Sequence, residues 1–230
     1  MTTESKSLVR RLRQTSISQR LVAVVLIATA VAGFSLVGQG LYIKAKAVLA
    51  QVLLERAWSR ALAGETAPKA WPWADTWPVA KITLPRIKQK SIVLNNASGE
   101  AMAFGPGLVA GTPMPGRPGT SVISGHRDTH FEFLRNVRRG DTIEVTTRTS
   151  KRLTYKVDYM EVVDASASGI EPNAPGEKLA LVTCWPFDDK NPGPLRYVVY
   201  ALPFTNVSMP ATARLSQSTI ASAEPVSLAR

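Results

Sequence analysis

At 230 residues, with 45% hydrophobic and 20% charged side chains, the chain has enough apolar mass for one globular domain of ordinary size plus additional segments, which excludes a wholly disordered protein. A formal net charge of +11 raises nucleic acid as a partner, but the basic residues are not interleaved with aromatics in any nucleic-acid-binding pattern, so that class is set aside. The single cysteine, Cys184, excludes an internal disulfide and any multi-cysteine metal site.

Residues 1–20 hold Lys6, Arg10, Arg11, Arg13 and Arg20 against Glu4 alone. The next segment, LVAVVLIATAVAGFSLVGQGLYI at 21–43, carries no charge. At about 1.5 Å per residue it is long enough to cross a hydrocarbon core of about 30 Å as a transmembrane helix. The positive-inside rule then places the basic N-terminus in the cytoplasm and everything from Lys44 onward outside the inner (plasma) membrane. Ala-Lys-Ala at 45–47 offers a competing reading as a signal-peptide cleavage site, but the apolar stretch before it is longer than a secretory signal's.

Residues 44–77 form a connecting region. Val48, Val52, Leu53, Trp58 and Leu62 recur at helical spacing among charges, which predicts an amphipathic helical stalk ended by Gly64. Three Trp and three Pro in ETAPKAWPWADTWPVA preclude regular helix or central strand there. The segment reads as a linker whose tryptophans sit at the membrane interface or cover an apolar surface of the domain.

From 78 to 204 the pattern changes to short β-type runs bounded by turn residues: AKITLP, SIVLNN, TSVISGH, DTIEVTT, RLTYKVDYMEVVD, KLALVTC and LRYVVYAL. Seven or eight strands without regularly intervening helices predict an all-β domain, either a closed barrel or a sandwich. FGPGLVAGTPMPGRPG reads as a loop with room for one short helix. The basic stretch from Arg135 to Lys156 is either a solvated face or a surface for anionic head groups and acidic polymers. Residues 205–230, rich in Ser, Thr, Ala and Pro, read as a loosely ordered tail.

Both histidines, His126 and His130, stand in SGHRDTHF. His126 follows a strand and a glycine, where loops expose functional groups, and imidazole suits proton transfer near neutral pH. No third ligand accompanies the pair and no glutamate separates them in the zinc-protease pattern, so neither a metal nor another cofactor is expected. Cys184 ends one β-run and LRYVVYAL begins eleven residues later. Antiparallel pairing of the two runs would set Cys184 beside Arg196, where a guanidinium favours thiolate and can hydrogen-bond a developing oxyanion.

The stretches GTPMPGRPGTSVISGHRDTHFEFLRNVRRGDTIEV, LVTCWPF and PLRYVVYA, in that order over residues 78–204, resemble a sortase, a membrane-anchored cysteine transpeptidase of bacterial envelopes. Trp-Pro after the cysteine and the WPWADTWPVAKITLP lead-in are most similar to the proteobacterial class GN group. The resemblance implies an eight-stranded β-barrel and a catalytic set of His126, Cys184 and Arg196, with His130 left out. It further implies a substrate protein bearing a C-terminal sorting signal of the Leu-Pro-x-Thr-Gly type (LPXTG) and an amine acceptor on peptidoglycan or another protein. Leu181, Val182, Thr183 and the chain near Ala110 are candidates to line the peptide groove. A hydrolase that cleaves without transfer, and a non-enzymatic membrane-tethered envelope-binding domain, are the rival readings.

Overall fold

A computed structural model describes residues 3–189, 191 and 193–204; the predicted C-terminal tail lies outside the described residues. Helix α1 runs unbroken from Thr3 to Leu62. Its Gln19–Leu62 portion is long and apolar enough to cross a membrane. Gly64, with φ 98°, follows its end, a left-handed conformation that glycine adopts without steric cost.

The strands are β1 (Pro78–Leu84), β2 (Gln89–Leu94), β3 (Gly107–Leu108), β4 (Gly119–Ser124), β5 (Thr142–Thr147), β6 (Arg152–Asp164), β7 (Glu177–Cys184) and β8 (Leu195–Pro203). They close into one barrel in the order β1-β2-β3-β4-β7-β8-β6-β5. Closure leaves no exposed strand edge. Alternation along each strand decides which side chains enter: in β5, Ile143 and Val145 are fully buried while the residues between them are not. Ile82, Phe131, Leu134, Leu179, Leu181 and Val199 belong to the same interior cluster.

Two expectations are corrected. The stretch FGPGLVAGTPMPGRPG holds no helix but the two-residue strand β3; the short helix α2 (Gly99–Met102) precedes it, with Ser98 Oγ accepting from Ala101 N–H at its start. A two-residue strand is too short to show a period, and Gly107 is there for close approach, since a Cβ would stand 1.9 Å from the Asn96 carbonyl oxygen. On α1, the buried stripe is Leu54, Ala57, Trp58 and Ala61, which meets Ile92, Leu94 and Ala101; of the predicted face only Trp58 is shared. Val48, Val52 and Leu62 are exposed. Spacing alone could not choose, because two apolar stripes run along this part of the helix and the barrel covers one of them.

Polar ties hold the loops. Fully buried Tyr155 donates to Glu177 and accepts from Gly116 N–H, joining the loop before β4 to the start of β7; burial, then Glu177, push its phenol well above the ordinary range. At the β1–β5 seam, the Arg86 guanidinium grips the Asp141 carboxylate at 2.5 Å and 2.8 Å, and Arg138 N–H also donates to it. Arg86 holds the Asp141 carboxyl below its usual range. A depressed folded-state value makes this contribution present above the unfolded carboxyl pKa and lost as pH falls through the folded one. Asp141→Asn is therefore expected to lower the thermal unfolding midpoint at pH 7, with the gap to the parent closing on acidification below the carboxylate range. Thermal melts of both proteins across that range check this.

Candidate active site

The site is assembled around β7. Its register with β8 sets Leu179 opposite Ala201, Leu181 opposite Val199, Val182 opposite Val198 and Cys184 opposite Arg196, and β8 in turn sets Arg196 opposite Val163 of β6. Directly paired residues of antiparallel strands project to the same face. Leu179, Leu181 and Val199 fill the barrel interior, so Ala180, Val182, Val198, Cys184 and Arg196 belong to the outer face. There Val122, Ala180 and Val198 form a buried apolar floor, joined by Val163, Ile170, Val182 and Tyr200. A groove of about 540 Å³ on this side is lined by Val163, Ile170, Lys178 and Tyr200 among others.

Cys184 is half-buried. Arg196, also half-buried, donates from Nη1 to the carbonyls of Gly193 at 2.7 Å and Leu195 at 2.8 Å, which anchors the guanidinium at the mouth of the β7–β8 loop. Its positive charge contributes to holding the nearby Asp164 carboxyl below the ordinary range, behind the larger effect of hydrogen bonds from Ser166.

His126 reaches this place through β4, which runs parallel to β7 with Ser124 paired to Val182. The next residue, Gly125, is tied to β7 twice: its N–H donates to Val182 O at 3.1 Å, and Thr183 Oγ1 donates to its carbonyl at 2.7 Å. The residue before the histidine is thus bonded to the residue before the cysteine. A Cβ on Gly125 would meet the Phe131 ring at 2.9 Å, so only glycine lets the chain pass here without moving that core aromatic. His126 itself is half-buried, and its carbonyl accepts from Phe131 N–H at 2.9 Å.

Beyond the predicted set stands Arg127, only 8% exposed. Its Nη1 donates to Pro186 O at 2.9 Å and its Nη2 to Asn191 O at 2.7 Å, so the histidine loop clasps the loop that follows the cysteine. Trp185 stacks on Tyr197 with ring centroids 5.6 Å apart, and Phe187 meets both edge-on. The sequence signal for Arg127 was its place next to His126, but a guanidinium in a polar loop gives no hint that it is buried.

The groove-lining expectations are revised. Leu181 is fully buried inside the barrel, and Thr183 is 1% exposed and committed to Gly125; neither presents its side chain to a peptide, because odd positions of β7 point inward. Val182 lies on the outer face. Ala110 is exposed, next to Val109, which joins the outer apolar floor. Counting by twos from Cys184 would have selected Ala180 and Val182. His130 has its Nε2 3.4 Å from Ala103 O, and desolvation, with a smaller contribution from His126, pushes its pKa down. Trp71, from the Trp/Pro segment, meets Phe104 edge-on at 4.7 Å on that same side.

The sortase domain model matches residues 82–204. Sortase D of Bacillus subtilis (strain 168) is 28% identical over 120 residues, which are 52% of this chain and 60% of that relative, so the match spans less than two thirds of the relative's length. Among solved structures, sortase A of Corynebacterium diphtheriae superposes with a TM-score of 0.53 at 21% identity, covering 71% of this chain and 87% of that one. A Clostridium perfringens sortase D5 transpeptidase gives a TM-score of 0.51 at 22% identity over 66% of this chain and 89% of that one. These likenesses establish the barrel as the sortase fold. With the family model spanning more than half of its length, the chain belongs to the sortase family.

Proposed function

We propose that the protein is a membrane-anchored cysteine transpeptidase that cleaves an LPXTG-like sorting signal between Thr and Gly and transfers the new carboxyl end to an envelope amine. The observation that carries this reading is the pairing of Cys184 with Arg196 on the outer face of the barrel, with His126 tied in through Gly125 and Thr183. An extended peptide lying along β7 over the Val122–Ala180–Val198 floor would run toward the thiol. Ala180 lies four residues before Cys184, about 13 Å at about 3.3 Å per residue, which accommodates the four residues Leu-Pro-x-Thr.

Cys184 thiolate attacks the Thr carbonyl, Arg196 hydrogen-bonds the oxyanion, and His126 protonates the departing Gly amine, leaving a thioester. The acceptor amine, on peptidoglycan or a second protein, then gives its proton to His126 as it attacks. Thiolate is regenerated and an amide forms. No cofactor enters any step. The span at 21–43 holds the enzyme in the inner membrane with its basic N-terminus cytoplasmic and its barrel outside. The Trp-Pro that follows Cys184 fits the proteobacterial class GN group.

The decisive experiment follows the intact mass of the full chain in detergent with an LPXTG-type peptide. A mass gain on the parent, absent from Cys184→Ala and discharged by an amine into a peptide–amine product, is the expected outcome. Discharge only by water would identify a hydrolase, and no adduct across a panel of such peptides would count against this substrate class.

Arg196→Lys retains the charge but loses the planar fork. It is expected to lower kcat/KM by about 10²–10³-fold, the usual cost of one oxyanion donor; activity near the parent's would remove Arg196 from that role. Thr183→Val keeps the shape and deletes the bond to Gly125, so stability should fall by about 1–2 kcal/mol and thioester formation should slow. A loss of stability with acylation unchanged would make Thr183 purely structural.

A further inference from the structure

The side of the barrel that carries His130 holds a feature that the chemistry above does not use. An open, apolar groove of about 950 Å³ lies between the Lys46–Leu53 part of α1 and the domain residues Trp71, Trp73, Phe104 and His130. Trp73 is 82% exposed, and Val48, Leu49 and Val52 on the facing helix are 65%, 56% and 44% exposed. Large apolar groups so exposed and so clustered mark a surface that meets something apolar.

Their height follows from the helix. α1 is continuous from the apolar span into this groove, so position along it converts to distance. Leu54, the first residue buried against the barrel, stands only about 16 Å beyond Ile43 at about 1.5 Å per residue. The head-group region extends about 5–8 Å beyond each side of the hydrocarbon core. Lys46 to Val48, which border the groove, therefore stand within that layer when Ile43 marks its inner edge, and Trp73 lines the same groove from the domain side.

The joint between helix and barrel is held by apolar packing and hydrogen bonds. Besides the Leu54–Ala61 stripe, Gln51 Nε2 donates to Phe104 O at 2.8 Å. Lys81 Nζ bonds both Glu55 carboxylate oxygens at 2.8 and 3.0 Å, while Arg60 ties the helix end to the segment that follows it through Glu65, at 3.1 Å, and the Lys69 carbonyl. A helix fixed in the bilayer and clamped to the barrel by these bonds holds the barrel at one height.

We propose that this groove is a phospholipid-binding surface that seats the barrel directly on the outer leaflet, with Val48 and Trp73 within the head-group layer and Leu49 and Val52 lining the groove just above it. The inference rests on the membrane reading of residues 21–43. Phospholipid is the favoured occupant because the exposed apolar face continues from the end of the span without a break. Lys44 and Lys46 stand at the same level, with Lys46 Nζ over the Tyr42 ring at 5.3 Å, and supply the cations that lipid phosphates meet. Tryptophan and lysine are the side chains that favour this layer.

The test uses the full chain reconstituted into phosphatidylcholine–phosphatidylglycerol vesicles in which part of the lipid is brominated either near the glycerol or near the chain end. The chain should float with the vesicles, and bromines near the glycerol should quench tryptophan fluorescence more than those near the chain end. Trp73→Phe, at a solvent-exposed site, should reduce the shallow quenching by about twofold or more, because tryptophan in this layer is the group within reach. Flotation with no shallow quenching, or with quenching that Trp73→Phe leaves unchanged, would overturn the docking surface while leaving the anchor intact. Failure to float would overturn the anchor and the surface together. A detergent-stable dimer that Trp73→Arg dissociates, with no quenching in vesicles, would assign the groove to a second copy and overturn the lipid proposal.

Discussion

The register of β7 against its two neighbours is the constraint on which the rest depends. Antiparallel pairing with β8 and parallel pairing with β4 bring a cysteine, an arginine and a histidine from three separate segments to one end of the barrel. Side chains alternate with period two, so a slip of one residue would turn Cys184 into the core and expose Thr183. The interior cluster of Leu179, Leu181 and Val199 opposes that slip. The apolar core of the barrel thus fixes the face on which Cys184 and Arg196 stand.

Around this frame, the polar bonds are short-range and serve placement. Gly125 is held by a buried hydroxyl and a backbone bond; Arg127 donates charge-assisted bonds to two loop carbonyls from a nearly buried position. Bonds to a charged group contribute about 1.5–3 kcal/mol, more than neutral ones, because the carbonyl dipoles replace water that the guanidinium has lost. Arg196 is anchored in the same way, by the carbonyls of Gly193 and Leu195 at the entry to β8. Arg127 in its loop and Arg196 at the start of β8 therefore both have defined positions.

The N-terminal helix extends the same logic to the whole molecule. Trp58, Leu54 and the small residues Ala57 and Ala61 allow α1 to lie close to β2, and the ion pair between Glu55 and Lys81 sets its rotation. The exposed pair contributes little energy by itself, while the buried apolar stripe provides the adhesion. A barrel joined in this way shares the orientation of its helix.

Much was legible in the residues themselves. An uncharged run of 23 residues at 21–43, the period-two strands, Gly64 as a helix stop, and the Cys184–Arg196 pairing all follow from local chemistry: bilayer thickness, pleat geometry, the left-handed freedom of glycine and the shortness of one connection. The face of α1 that is buried, the inward aim of Leu181 and Thr183, the existence of β3, and the burial of Arg127 were decided by tertiary structure. Each depends on which distant strand or loop lies alongside, and a side chain's own type and spacing carry no record of that partner. The sequence by itself determined which groups could do the chemistry; only the closed barrel decided where they meet.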